Sequence, residues 1–154
     1  MPRYASQTEV PVDRSRGEIE KTLKRYGADA FGYGEEDGRA IVMFRMCGKK
    51  VRFIITVPDQ NDAKFTETPT GLERSARQAL SMHGQAVRQQ WRRLLLLIKA
   101  KLEAADGDVV MFEQEFMPYF VLPDGMTLSD KLLPAINKVY ADGKVPLALI
   151  SGIG

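Results

Sequence analysis

The chain has 154 residues, of which 44% are hydrophobic and 27% are charged, and its formal net charge is +2. This length and composition predict one domain, residues 1–154, with a hydrophobic core of its own, and they argue against a disordered chain. The single cysteine, Cys47, excludes an internal disulfide framework and fits a reducing compartment, so a cytoplasmic protein is expected.

No stretch of the sequence predicts secretion or membrane insertion. The first residues lack the apolar segment of a signal peptide, and the longest unbroken apolar run, residues 94–98, is far shorter than the ~20 residues that span a bilayer. A membrane is therefore not an expected partner.

The amino-terminal part predicts an extended arm followed by a short helix. Residues 1–14 contain two prolines and form the predicted arm. Ser15 and Glu18 have the spacing of a capping box, which predicts that the helix begins here. Ile19, Leu23 and Tyr26 would form its apolar stripe, and Gly27 would end it because glycine tolerates a positive φ.

Residues 30–57 change to the period of two that is typical of β-strands. Turn signatures at Asp37-Gly38 and at Gly48-Lys49 separate a first strand from strands over residues 39–46 and 51–57. The prediction is a three-stranded antiparallel β-meander. One face would be the core side, and the other, partly apolar and partly basic, is either covered by the carboxy-terminal segment or presented to a ligand.

A polar loop over residues 59–70 leads into the clearest helical segment, residues 73–105, which contains no proline. A step of 100° places Trp91, Leu95, Ile98 and Leu102 on one apolar stripe. Leu96, Leu97 and Ala100 extend the apolar surface, which predicts burial on more than one side. This helix is expected to be the central element against which the sheet packs.

The remaining sequence predicts two shorter helices. The first covers residues 109–117 and stops at Pro118, and an extended segment follows over residues 119–122. Thr127 or Ser129 would cap the last helix, with Pro134 in its first turns. Its expected apolar face comprises Leu132, Leu133, Ile136, Val139 and Tyr140. The tail, residues 143–154, is apolar and rich in glycine. The predicted fold class is α+β, with a short helix before the meander and two helices after the long one.

No arrangement of residues predicts catalysis. One histidine and one cysteine cannot supply a zinc site, and no glycine-rich phosphate loop is present. Asp59, Asp62 and Lys64 superficially resemble a nuclease motif, but they lie too close together for its hairpin geometry. We therefore expect no enzyme activity, no metal and no cofactor.

The strongest functional signal is an uneven distribution of charge. Residues 39–52 include five basic side chains and no acidic one, and residues 73–103 include seven basic side chains against two glutamates. If the long helix crosses the meander, these residues form a track for phosphate groups. The alternative is an ordinary solvated rim around an apolar helix face. The candidate nucleic-acid-binding residues are Arg45, Lys49, Lys50, Arg52, Arg74, Arg77, Arg88 and Arg92. Phe31, Tyr33, Phe44, Phe53 and Trp91 are candidates for stacking on bases.

Several short motifs together resemble those of a family of short proteins encoded by phages and prophages. They are Tyr4-Ala with Glu9-Val-Pro-Val, Phe44-Arg-Met with Val51-Arg-Phe, the basic helix over residues 88–103, and Phe112-Glu-x-Glu-Phe116 with Val121-Leu-Pro-Asp-Gly125. The family has no established activity, so the resemblance implies only a phage or bacterial cytoplasmic setting. The order of helix, meander and long helix is also similar to that of double-stranded-RNA-binding domains and single-strand-annealing proteins.

The expected function is non-enzymatic nucleic-acid binding, with single-stranded DNA in recombination or replication as the expected ligand. Homo-oligomerisation is a further expectation. The alternative is a protein-interaction module, such as an inhibitor of a host defence or repair complex, that acts through the apolar tail and acidic patches.

Overall fold

The computed structural model describes residues 10–108 and 110–147. Five α-helices, three strands and one 3₁₀ helix make up this part of the chain, and the predicted α+β class is confirmed. In chain order they are α1 (Val12–Arg25), β1 (Ala30–Glu36), β2 (Arg39–Met46), β3 (Lys49–Thr56), α2 (Ala63–Thr66), α3 (Ala76–Asp106), α4 (Phe112–Phe116), the 3₁₀ helix (Met117–Tyr119) and α5 (Leu128–Asp142). Among these described helices, none is long and apolar enough to cross a membrane.

The three strands form an antiparallel meander in the order β1-β2-β3. Asp37 and Gly38 connect β1 to β2 with φ angles of 49° and 71°, the left-handed backbone of a two-residue hairpin turn. The second turn uses Cys47 and Gly48, with φ angles of 51° and 72°. It therefore lies one residue earlier than predicted, and β3 begins at Lys49. Cys47 is exposed in this turn rather than packed within a strand.

The core lies between one face of the sheet and helices α1 and α3. Alternate residues of β2 and β3 point into it, and α3 contributes a stripe at helical spacing. The strand residues are Ala40, Val42, Phe44, Met46, Val51 and Phe53; the α3 residues are Trp91, Leu94, Leu95, Ile98 and Leu102. Phe116 of α4 is also fully buried in the core, and its ring is perpendicular to that of Phe44, with ring centroids 5.9 Å apart. The predicted central role of the long helix is thus confirmed.

Helix α3 is buried on one side only, so the prediction of burial on several sides was wrong. Leu96 and Leu97 are 36% and 41% exposed, and Ala100 is also exposed. Only α1, α2, α4 and the sheet pack closely against α3 in the described structure. The helix begins with a capping box in which the Ser75 hydroxyl accepts from the Gln78 amide and the Gln78 side chain accepts from the Ser75 amide.

Helix α1 begins earlier than predicted, because Pro11 takes the N-cap position and Val12 starts the helix. Residues 12–14 are therefore helical rather than part of an extended arm, whereas residues 1–9 lie outside the described residues. Ser15 sits inside the helix with 0% exposure, so it does not cap it. The predicted stripe is confirmed in Ile19 and Leu23, which are fully buried.

The segment between β3 and α3 is more ordered than the predicted polar loop. It contains α2, in which the Asp62 carboxylate accepts from the Lys64 amide at the N-terminus and Phe65 is buried against α3. His83 of α3 holds the start of this segment, since its Nε2 lies 2.7 Å from the Pro58 carbonyl oxygen.

The carboxy-terminal part packs on the free edge of β3. Helix α4 is shorter than predicted, and Phe120 then forms a β-bridge with Val51. Thr127, one of two predicted caps, starts α5 with a capping box to Asp130. The predicted apolar face of α5 is not a buried one. Its members Leu133, Ile136 and Tyr140 are 52%, 41% and 85% exposed. Residues 148–154 of the predicted tail lie outside the described residues.

The buried hydroxyl of Ser15 gives a test of the corrected helix start. Ser15 Oγ has no hydrogen-bond partner in the described structure, so Ser15→Ala removes an unpaired polar group and improves helix propensity. We expect the free energy of unfolding to stay constant or rise by about 0.5–1 kcal/mol in urea titrations. In the control, Thr127→Ala removes the bond from the Asp130 amide to Thr127 Oγ1 (3.1 Å) and should cost about 1 kcal/mol. If Ser15→Ala lowered the free energy of unfolding by about 1 kcal/mol as well, the result would indicate that Ser15 caps α1 as the sequence predicted.

Candidate functional site

The long helix runs antiparallel to β3 across the core. At one end, Gln90 Nε2 of α3 lies 3.4 Å from the Thr56 carbonyl oxygen at the end of β3. At the other, Lys101 Nζ lies 2.6 Å from the Glu115 carboxylate of α4, and α4 reaches the first residue of β3 through the pair of Glu113 and Lys49 (3.5 Å). The start of β3 is therefore near the carboxy-terminal part of α3, and the end of β3 is near its middle.

This orientation divides the predicted phosphate track. Lys49 and Lys50 lie at the start of β3, where the Lys49 ammonium is 3.5 Å from the Glu113 carboxylate of α4. Arg74, Arg77 and Arg88 lie on the amino-terminal side of Gln90, beyond the opposite end of the strand. A strand rises about 3.3 Å per residue, so the seven steps from Lys49 to Thr56 separate the two groups by roughly 23 Å along β3. Lys49 and Lys50 therefore do not line one groove with Arg74, Arg77 and Arg88.

Three of the four predicted arginines on the helix side make contacts within the fold. Arg74 Nε donates to the Glu67 carbonyl oxygen at 2.9 Å, and an Arg88 terminal nitrogen donates to Gln85 Oε1 at 2.7 Å. Arg92 lies 3.5 Å from Glu18 of α1, a carboxylate that also pairs with Lys99. Arg77 is exposed and has no ion pair in the described part of the chain. The Arg74 contact closes the segment before α3, the Arg88 contact lies within α3, and the Arg92 contact joins α1 to α3.

The other predicted residues belong mainly to the sheet face that points away from the core, which we call the outer face. Strand alternation and the pairing register define it. Its members are Ala30, Gly32, Gly34 and Glu36 of β1; Arg39, Ile41, Met43 and Arg45 of β2; and Lys50, Arg52, Ile54 and Thr56 of β3. Arg45, Lys50 and Arg52 are predicted site residues, and the structure brings them together.

The outer face combines adjacent cations with a flat apolar strip. Arg45 is directly opposite Lys50, and Met43 is directly opposite Arg52, positions whose Cβ atoms lie about 4.5–5.5 Å apart. Met43 and Ile54 are 36% and 44% exposed. A shallow hollow of about 240 Å³ is lined by residues including Gly32, Met43, Arg45 and Lys50.

Gly32 and Gly34 leave the middle of β1 without side chains on the outer face. A Cβ atom at Gly32 or at Gly34 would meet nothing within 4 Å, so the space above both residues is open. An extended polymer could therefore approach the sheet backbone at this side.

Acidic residues neutralise some of these cations but not all. Arg45 Nε donates to the Asp29 carboxylate at 2.8 Å, and this hydrogen bond lowers the pKa of Asp29 from its ordinary value of 3.8. Arg52 lies 3.7 Å from Asp130 at the start of α5. Lys50 has no ion pair within the described residues, and its exposed ammonium stands between the 240 Å³ hollow and a second one beside Phe120 and Val121.

The predicted aromatic stacking residues are not on this face. Phe44, Phe53 and Trp91 are buried in the core, so they are unavailable to a ligand. Tyr33 is exposed but points to the core side, where the Arg16 guanidinium lies 4.7 Å from its ring centroid. Phe31 packs against the core and only borders the 240 Å³ hollow, so the exposed apolar side chains of the outer face are Met43 and Ile54.

Sequence reasoning missed Arg39, Met43 and Ile54 as members of the site. Their signal was the period of two, which places residues 39, 41, 43 and 45 on one face, whereas charge alone selected the list. Within the described residues, no three histidine, cysteine or acidic side chains lie close enough to hold a metal ion.

Comparison of the chain with family models, curated proteins and solved structures found no match.

The contact between Asp29 and Arg45 gives a pH-dependent prediction. Because the folded pKa of Asp29 lies below its unfolded value, its contribution to stability is present at neutral pH and is lost as the pH falls through the lowered pKa. Arg45→Gln should raise the pKa of Asp29 towards 3.8, measured from its side-chain carboxyl carbon shift by NMR. Lys50→Gln, the matched change on the opposite strand, should leave it low. An unchanged Asp29 pKa in Arg45→Gln would contradict the assigned contact.

Proposed function

We propose that this protein binds single-stranded nucleic acid through the outer face of its sheet. The observation that carries the proposal is the direct cross-strand pair of Arg45 and Lys50 beside exposed Met43. Like charges directly opposite each other on a sheet destabilise it, and Asp29 offsets only the Arg45 charge, so an anion beside Lys50 is a favourable addition. Phosphate groups supply such anions at regular spacing along a strand.

A single strand fits this face better than a duplex. The accessible area is a strip between the open β1 side and the start of α5, where Arg52 meets Asp130. Exposed apolar side chains next to cations can contact unstacked bases while phosphates pair with the cations, whereas the bases of a duplex are hidden in its stack. Because contacts to phosphate carry no sequence information, binding would be largely independent of sequence. A role in phage recombination or replication belongs to this proposal.

Matched charge reversals separate the outer face from the helix rim. Lys50→Glu should weaken binding of a labelled thymidine oligonucleotide about tenfold or more in fluorescence anisotropy, because it replaces an attraction with a repulsion. Arg77→Glu makes the same change in net charge on α3 and should leave the affinity within about twofold, since only screened long-range attraction is lost. Wild-type affinity should fall steeply between about 50 mM and 200 mM salt.

Three results would count against this function. They are the absence of binding at low salt, an affinity insensitive to salt, and an equal loss for Arg77→Glu and Lys50→Glu. An equal loss of affinity for the two variants would indicate that the basic rim of α3 contributes to binding as much as the outer face does. A duplex of the same length is the comparison ligand, and it should bind more weakly than the single strand at every salt concentration.

A protein-interaction function is the second candidate, and helix α5 favours it. No residue of α5 is buried, and Leu133, Ile136 and Tyr140 form one exposed stripe at helical spacing. Exposed apolar stripes of this kind are typical of helices that bind a groove on a partner protein. An inhibitor of a host defence or repair complex would use such a surface.

Leu133→Glu and Lys138→Glu test this candidate on opposite sides of α5. If α5 binds a host protein, one stoichiometric protein should be captured from a nuclease-treated bacterial lysate. Leu133→Glu should abolish its capture because a carboxylate cannot enter an apolar groove. Lys138→Glu should retain capture. Equal capture by wild type and Leu133→Glu would remove α5 as the binding surface.

A further inference from the structure

The free edge of β1 has no partner in the described part of the chain. The strand order β1-β2-β3 leaves β1 at one edge and β3 at the other. The β3 edge is covered in part, because Val51 forms a bridge with Phe120 and the Val121 amide donates to the Lys50 carbonyl oxygen at 2.8 Å. No described segment forms a comparable bridge with β1. The two edges of this sheet are therefore unequal.

The hairpin turn identifies which backbone groups of β1 are free. A two-residue turn at Asp37 and Gly38 makes Glu36 and Arg39 a hydrogen-bonded pair, and such pairs then recur at every second residue. Ala30, Gly32 and Gly34 therefore direct their N–H and C=O groups towards β2. The N–H and C=O groups of Phe31, Tyr33 and Glu35 point outward.

This edge lacks several of the features that usually prevent strands from pairing, and its two charged residues, Glu35 and Glu36, are both at the end next to the turn. It contains no proline and no lysine, and its register with β2 is continuous from Ala30 to Glu36, without a bulge. Every residue of β1 except Phe31 is exposed. The three outward N–H groups and the three outward C=O groups of β1 are therefore available to another strand.

We propose that β1 pairs with β1 of a second copy of this chain, antiparallel and centred on Tyr33. In this register Tyr33 pairs with Tyr33 of the second copy, and Phe31 pairs with Glu35 in both directions. All outward-pointing backbone groups are then used, in six hydrogen bonds. A two-fold axis makes the interface closed, so the product is a dimer and not a fibre.

Charge complementarity favours a second copy in this register, with Arg45 placed between Asp29 of its own chain and Glu36 of the second copy. Glu36 of the second copy lies opposite Ala30, whose neighbour on the other side is Arg45. Two strand spacings of about 4.8 Å separate Glu36 from Arg45, and the small Ala30 side chain between them does not block the approach. A register centred on Glu35 would instead set two carboxylates directly opposite each other.

The pairing joins two three-stranded sheets into one of six strands. Gly32 and Gly34 of both copies form the centre of the seam on the outer face, which leaves that centre without side chains, and pairs of Ala30 and Glu36 lie on either side of it. The interface uses backbone groups of β1 and does not require nucleic acid. Dimerisation can therefore be confirmed or refuted independently of nucleic-acid binding.

Sedimentation of the full chain without nucleic acid measures this association. Between about 1 μM and about 1 mM, the range expected for a small interface, the wild type should reach twice the 17.3 kDa of one chain. Tyr33→Pro should remain monomeric and folded, because it removes a donor that the chain's own sheet does not use. Tyr33→Val keeps the amide and should dimerise. A monomeric wild type overturns the proposal, and so does a Tyr33→Pro dimer, which would indicate another surface such as α5.

Disulfide trapping tests the register even if Tyr33→Pro does not fold. In a Cys47→Ser background, Tyr33→Cys should form a disulfide-linked dimer on mild oxidation, since Cα atoms of a hydrogen-bonded pair lie about 5.5 Å apart. Glu36→Cys is the control, because the two Glu36 positions lie roughly 20 Å apart, six residues along the paired strands. Cross-linking of Glu36→Cys but not of Tyr33→Cys overturns this register, as does the absence of both cross-links.

Discussion

The packing of one α3 stripe against one face of the meander is the interaction on which the rest of the structure depends. Trp91, Leu95 and Ile98 are fully buried there, together with Val42 and Val51 of the sheet. Because strand side chains alternate between faces, burying one face commits the other to solvent or to a ligand. The antiparallel direction of α3 along β3 then fixes which charged residues can meet.

The basic stretches of the sequence do not become one basic surface. Most of their members meet carboxylates or carbonyl oxygens of neighbouring elements, as Arg92 meets Glu18 and Lys101 meets Glu115. Exposed pairs of this kind add little stability, but they reduce the positive potential available to a polyanion. Lys50 has no acidic partner in the described structure and, unlike Arg77, lies directly opposite a second cation, Arg45, on the outer face. The outer face is thus a smaller candidate site than the charge distribution suggested.

The same sheet supports both proposals through different groups. Side chains of the outer face would bind phosphate, whereas main-chain groups at the β1 edge would bind a second copy. Gly32 and Gly34 contribute to both, because the absence of side chains opens the face and leaves the centre of the proposed seam clear. The partial cover of the β3 edge by Phe120 leaves β1 as the edge at which the sheet can grow.

The sequence by itself determined the α+β class, the meander, the long helix and its buried stripe, because these follow from local periodicity and turn residues. It misplaced the start of α1, since the spacing of Ser15 and Glu18 matches a capping box whether or not the hydroxyl is at a helix end. Only the tertiary structure decided that Lys50 and Arg77 lie apart and that Leu97 is exposed. The direction in which a helix crosses a sheet depends on contacts distant in sequence, which no local pattern records.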